Sequence, residues 1–262
     1  MTKILKRGYL PSDDKEFNST AVKTLCKAGE ELFYLLNRGY PIKSASVFVG
    51  NHYLLSERQR LALVRAVSPE KSIINRKQKE ISIDKLEGRE LHIDGFNTII
   101  TLEVAFSNSL LLKCMDGTIR DLAALRGTYR LIDKTDISIK YIGERLQKSK
   151  IRKAVFYLDT PVSNSGRLKM RILELLSDLN FEVEAEVIGD VDSVLARLDN
   201  VVTSDAIILD NCISWINLTR PIIDAENSNY AYIDLSNASL SPLEEVAQPQ
   251  TVTEKAKTVN TI

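Results

Sequence analysis

Leu91-His-Ile-Asp-Gly-Phe-Asn97 is the stretch on which the fold turns: a short apolar run that ends in an aspartate, followed at once by glycine. The same pattern recurs downstream. Residues 154–158 run into Asp159, residues 183–188 into Asp190 and Asp192, and residues 201–203 into Ser204 and Asp205. Between these runs apolar residues recur at helical spacing, which predicts helices over 98–106, 120–132, 137–147, 168–179 and 191–198. Short apolar runs alternating with helices specify an α/β fold with a mainly parallel sheet. The apolar stretch 216–223 is expected to complete that sheet.

In an open parallel sheet the carboxyl ends of all strands lie along one edge, where ligands bind. Asp94, Asp159, Asp192 and Asp205 are therefore expected to converge although they are far apart in the chain. Each has an ordinary explanation, because aspartate caps helices and starts turns. Four of them on one edge also suit a divalent cation: hard carboxylate oxygens favour Mg²⁺ or Mn²⁺ over zinc, and such an ion can activate water against a phosphodiester.

Working outward, the loop Ser163-Asn-Ser-Gly-Arg-Leu-Lys169 leads into a helix. It reads either as a Ser/Asn-rich turn or as a phosphate cradle in which Ser163, Asn164, Ser165, Arg167 and Lys169 hold an anion. Arg126 and Arg130 on the expected 120–132 helix could line a nucleic-acid groove, and Glu103, Asp121 and Asp210 are further acids near the edge.

The front of the chain is helical in pattern. Apolar residues at helical spacing fill 18–38 before Gly39, Pro41 opens a second helix through Phe48, and Ser56-Glu-Arg-Gln59 is a capping box for a third that runs to about Val67. Gly50 to Tyr53 is expected as a polar loop, and 76–85 as a connector. Asn51, His52, Tyr53, Arg58 and Arg65 combine aromatic and basic character suited to unpaired bases and phosphates, alongside a plainer structural use. The expected organisation is a basic helical domain over 1–80, an α/β domain over 88–224 and a polar acidic tail over 225–262, with disorder from about residue 248.

Charge and composition narrow the classes. Residues 1–90 carry 17 Lys and Arg against 11 Asp and Glu, residues 91–223 carry 16 against 18, and residues 224–262 carry 2 against 6. A basic front invites a polyanionic partner. No apolar run approaches the length of a membrane span, and no secretory signal is read at the N-terminus, so the cytoplasm is the expected compartment. Three scattered cysteines and two histidines argue against a disulfide framework and a histidine-rich metal centre.

Leu91-His-Ile-Asp-Gly-Phe-Asn97 resembles the opening of NYN domains, PIN-like nucleases whose first strand ends in Asp-Gly-x-Asn. Val201-Val-Thr-Ser-Asp205 is similar to their later strand ending in Thr-Ser-Asp, Asp192-Ser-Val-Leu195 resembles the acidic helix start before that strand, and Asp159 matches an intermediate acid. The resemblance spans about residues 90–223. It implies a three-layer PIN-like domain, a metal-dependent ribonuclease or RNA-processing hydrolase. Asp94, Asp159, Asp192 and Asp205 would hold Mg²⁺ or Mn²⁺, Asn97 would orient Asp94, and Thr203 and Ser204 would support the site. The chain departs from that pattern in a long insertion, expected to be helical, between Asp94 and Asp159, and in the 159–169 loop. The whole chain further resembles a microbial family described as domains of unknown function 434 and 5616, in which a helical part precedes an α/β part. The alternatives are a PIN-like module that binds RNA without cutting it, an enzyme of small phosphorylated or nucleotide substrates, and an interaction protein that docks through its N-terminal helices.

Overall fold

A computed structural model describes residues 6–123, 127–226 and 230–236. After a single turn, α1 (Asp13–Glu16), come four helices: α2 (Ser19–Asn37), α3 (Ile42–His52), α4 (Glu57–Ala66) and α5 (Glu70–Lys79). The sequence signals act where they stand. Asn18 caps α2 by accepting from the Thr20 and Ala21 amides, and Ser56 and Gln59 form the full capping box of α4. Two boundaries differ from expectation. Gly50, Asn51 and His52 continue α3 instead of forming a loop, and Pro69 opens α5, which absorbs half of the expected connector. Proline at a helix entrance loses no bond the helix needs.

The α/β part follows as β1 (Glu90–Asp94), α6 (Gly95–Phe106), β2 (Leu111–Lys113), β3 (Ile119–Asp121), α7 (Asp133–Lys148), β4 (Lys153–Asp159) and α8 (Ser165–Leu176). It continues through β5 (Glu182–Ile188), α9 (Val191–Leu195), β6 (Val201–Val202), α10 (Ala206–Asn211), β7 (Trp215–Ile216), α11 (Thr219–Ala225) and β8 (Tyr232–Asp234). Five strands pair in the order β5-β4-β1-β6-β7, every pair parallel. Strand β4 shows why both faces are covered. Ala154, Phe156 and Leu158 join the core beneath α6, α7 and α8, whereas Val155 and Tyr157 pack with Leu195, Ile208 and Trp215 on the other face. Alternate residues of one strand thus feed two helical layers.

Among the described residues of 120–132 the expected helix is not formed. The chain instead makes an antiparallel pair, β2 with β3, turned at Gly117, whose φ of +82° suits glycine. Asp116-Gly117 was the available hairpin signal. The stretch 216–223 likewise divides into β7 and α11, with Pro221 in the first turn of the helix, where it costs no hydrogen bond.

Strand β8 lies in the segment expected as a tail and extends the small sheet in parallel with β2. Its Ile233, with Leu235 and Leu112, packs against Leu25, Leu32 and Leu63 of the N-terminal helices. The helical part and the small sheet therefore share one core cluster. No described helix is long and apolar enough to cross a membrane.

Candidate acidic site

Strand order reverses at β1: β4 and β5 extend the sheet on one side, β6 and β7 on the other. A crevice opens at such a switch point. Here it is a cavity of about 520 Å³ whose lining includes all four strand-end acids, Asp94, Asp159, Asp192 and Asp205. The expected convergence is present.

Asp94 ends β1 and caps α6, its Oδ1 accepting from the Asn97 amide at 3.3 Å. Gly95 must follow it, because a Cβ there would stand 2.9 Å from the Tyr157 carbonyl oxygen and 2.6 Å from Leu158 Cδ2. The Thr203-Ser204-Asp205 tripeptide serves the same corner. The Thr203 hydroxyl donates to Asp94 Oδ2 at 2.8 Å and accepts from the Asp205 amide at 3.0 Å, and the Ser204 hydroxyl donates to Asn97 Oδ1 at 3.0 Å. Asp205 caps α10, accepting from Ile207 at 2.7 Å. Asp190, rather than Asp192, caps α9, which leaves the Asp192 carboxylate to the cavity.

Burial pushes the Asp94 carboxyl up to about 7, with Asp205 and Asp192 adding repulsion and the Thr203 and Asn97 hydrogen bonds opposing. Burial also raises Asp159, helped by Asp190, and Asp192, helped by Asp205 and Asp159. The carboxylates repel one another across the cavity. In donor chemistry the set fits Mg²⁺ or Mn²⁺. In position, among the described residues no group of three or more His, Cys, Asp or Glu side chains is in place to hold a metal ion.

The other expected residues divide. Asp121 lies in the cavity wall, bonded to the Thr101 hydroxyl at 3.1 Å and the Ala123 amide at 2.7 Å. Glu103 does not reach the cavity. It is fully buried, paired with Arg7 at 2.7 Å and accepting from the Tyr129 and Thr135 hydroxyls. Asp210 is turned away and held by Arg76 at 2.7 Å. The polar atoms of the 163–165 loop are taken up internally: Ser163 and Asn164 bond the Tyr129 main chain, and the Ser165 hydroxyl donates to the Asp159 carbonyl at 2.6 Å. They brace the end of β4 rather than an anion, leaving Arg167 and Lys169 without partners among the described residues. Arg58 is an internal clamp, bonded to Asp13 and to the Leu122 and Gly8 carbonyls. Asn51 and His52 are exposed at the end of α3, with His52 edge-on to Tyr53, and Arg130 is exposed. None of these three lines the cavity. Arg126 lies outside the described residues.

Two cationic residues complete the lining: Arg65 of α4, expected as a nucleic-acid contact of the helical part but not beside the acids, and Arg120 of β3, not expected as a site residue. Arg120 is buried: its Nε donates to the Ser204 carbonyl at 2.6 Å, Nη2 to Asp116 at 2.6 Å and Nη1 to the Arg65 carbonyl. Asp116 is shared with Arg76 at 2.6 Å.

These features define a class: a three-layer, mainly parallel α/β protein with an acid-lined cavity at its strand-order switch, walled on one side by a helical N-terminal part. Residues 83–221 match the family described as "Domain of unknown function (DUF5616)", and the chain belongs to it. Residues 24–79 match "Protein of unknown function (DUF434)". The chain is also similar to the "Uncharacterized protein MJ0935" of Methanocaldococcus jannaschii, 36% identical over 183 residues that cover 70% of this chain and 88% of the relative. No solved structure matches it.

Proposed function

We propose that this protein is a metal-dependent ribonuclease or RNA-processing hydrolase of the PIN-like type. The observation that carries the proposal is the meeting of Asp94, Asp159, Asp192 and Asp205 in one cavity at the switch point. A divalent cation, Mg²⁺ or Mn²⁺, would supply Lewis-acid stabilisation of the charge that builds on a phosphodiester. The chain's own part is positioning. Thr203 fixes one Asp94 oxygen, Asn97 and Ser204 lock the turn beneath it, and Asp205 is aimed by its own helix cap. Asp94 holds a proton until about neutral pH, so it becomes a full ligand only as that proton leaves. The basic front of the chain suits RNA as the partner.

The test is cleavage of a labelled single-stranded RNA with Mn²⁺ by the wild type, Asp94→Asn and Asp205→Asn. Turnover by the wild type that falls at least about a hundredfold in each folded variant is expected; undiminished turnover in the purified double variant rules the assignment out. A second reading, an RNA-binding module that does not cut, is favoured because among the described residues no three acids stand together as ligands of one metal ion. It predicts RNA binding with no metal-dependent turnover.

A further inference from the structure

We infer that Arg65 is the residue that receives a backbone phosphate of the substrate in the acid cavity. The inference rests on the reading of that cavity as a phosphodiester site and adds the group that lets a polyanion enter it. The lining carries five carboxylates, Asp94, Asp121, Asp159, Asp192 and Asp205, against two guanidiniums. Repulsion of that order bars a phosphate unless a cation faces it.

Arg120 cannot serve. Its side chain is 7% exposed and all three of its nitrogens donate to protein oxygens. Arg65 is placed differently. Its side chain is 33% exposed, and only Nη1 is engaged, with the main-chain oxygen of Asp121 and with its Oδ1 at 3.3 Å. Nε and Nη2 donate to no described residue, which leaves the edge of the guanidinium that pairs with two oxygens of a phosphate. Asp121 has other donors, Thr101 and Ala123, and does not depend on Arg65.

The position of Arg65 relative to the acids is also built in. Arg120 bonds the Arg65 carbonyl with one nitrogen and the Ser204 carbonyl with another, tying α4 to the loop that carries Asp205. Arg76, bonded to Asp116 and Asp210, anchors α5 to the far end of α10. The helical part thus holds one cation at a set place in the wall of a cavity whose acids come from the sheet.

The experiment measures polarisation of a labelled oligouridylate with the full chain against salt concentration, on an Asp94→Asn background that keeps the RNA uncut. Arg65→Gln is expected to weaken binding about tenfold or more and to lower the slope of log K against log salt by about one. Arg65→Lys, which keeps the charge, is expected to restore the slope. Unchanged affinity and slope in Arg65→Gln overturn the inference, and so does a lowered slope that Arg65→Lys fails to restore, because that marks a structural role. Failure of the underlying reading looks different: the wild type then neither binds Mn²⁺ nor cuts RNA, whatever residue 65 is.

Discussion

Replacing Asp94 with asparagine removes a carboxylate that the fold buries at a cost, and the cost has a pH signature. The folded value is about 7 against an ordinary 3.8. Between those limits the folded state keeps a proton that the unfolded chain has lost, so the wild type loses stability as pH rises through the window. The difference of about three pKa units corresponds to about 4 kcal/mol, fully developed only above about pH 7. Asparagine carries no charge, and its single side-chain oxygen replaces one of the two that bond the Thr203 hydroxyl (Oδ2) and the Asn97 amide (Oδ1), so the other acceptor is lost as a pH-independent offset. Urea unfolding, followed through the single tryptophan, Trp215, which is fully buried, reads the effect in metal-free buffer. Relative to the wild type, the variant should gain stability progressively as pH rises from 4, by about 4 kcal/mol near pH 8. Titrating groups that do not interact with Asp94 cancel in the comparison, and the repulsion from Asp205 and Asp192 is part of the effect measured. A difference that does not vary with pH refutes the reasoning that burial sets the Asp94 proton affinity.

Two packing predictions follow from the same corner. Gly95→Ala places a methyl group against the Tyr157 carbonyl, which cannot give way inside a strand pair, and should cost about 1–3 kcal/mol in urea unfolding. Arg120→Met strips Asp116 of one of its two guanidiniums in a buried setting and should cost about 3–5 kcal/mol, with loss of amide protection at Ile207 and Ile208 in hydrogen exchange as the Ser204–Asp205 loop loosens.

Much of this architecture is legible in the sequence because its signals are local. The period of the apolar runs and the aspartate after each one give the parallel sheet and its acidic edge. The capping box at Ser56 marks the start of α4 without help from any distant residue. The errors arise where local signals compete. Over 120–132 a helical apolar spacing outweighed the Asp116-Gly117 turn, yet the backbone of 119–121 is taken by β2. Glu103 sits on α6, the helix that begins at the site, but burial on the inner face, with Arg7 arriving from 96 residues away, makes it a core ion pair. Arg65 and Arg120 reach the cavity only through tertiary packing of α4 and β3, which no spacing in the sequence reveals. The 163–169 loop has the composition of an anion cradle, but Tyr129 uses its polar atoms.

The measurement that bears most directly on the acidic site is calorimetric titration of Mn²⁺ into the wild type and Asp94→Asn. Binding by the wild type that is lost in the variant, and that is stronger at pH 8 than at pH 6 because Asp94 must shed its proton, is the predicted result. Absence of binding in both proteins, at either pH, would contradict the claim that these carboxylates form a metal site.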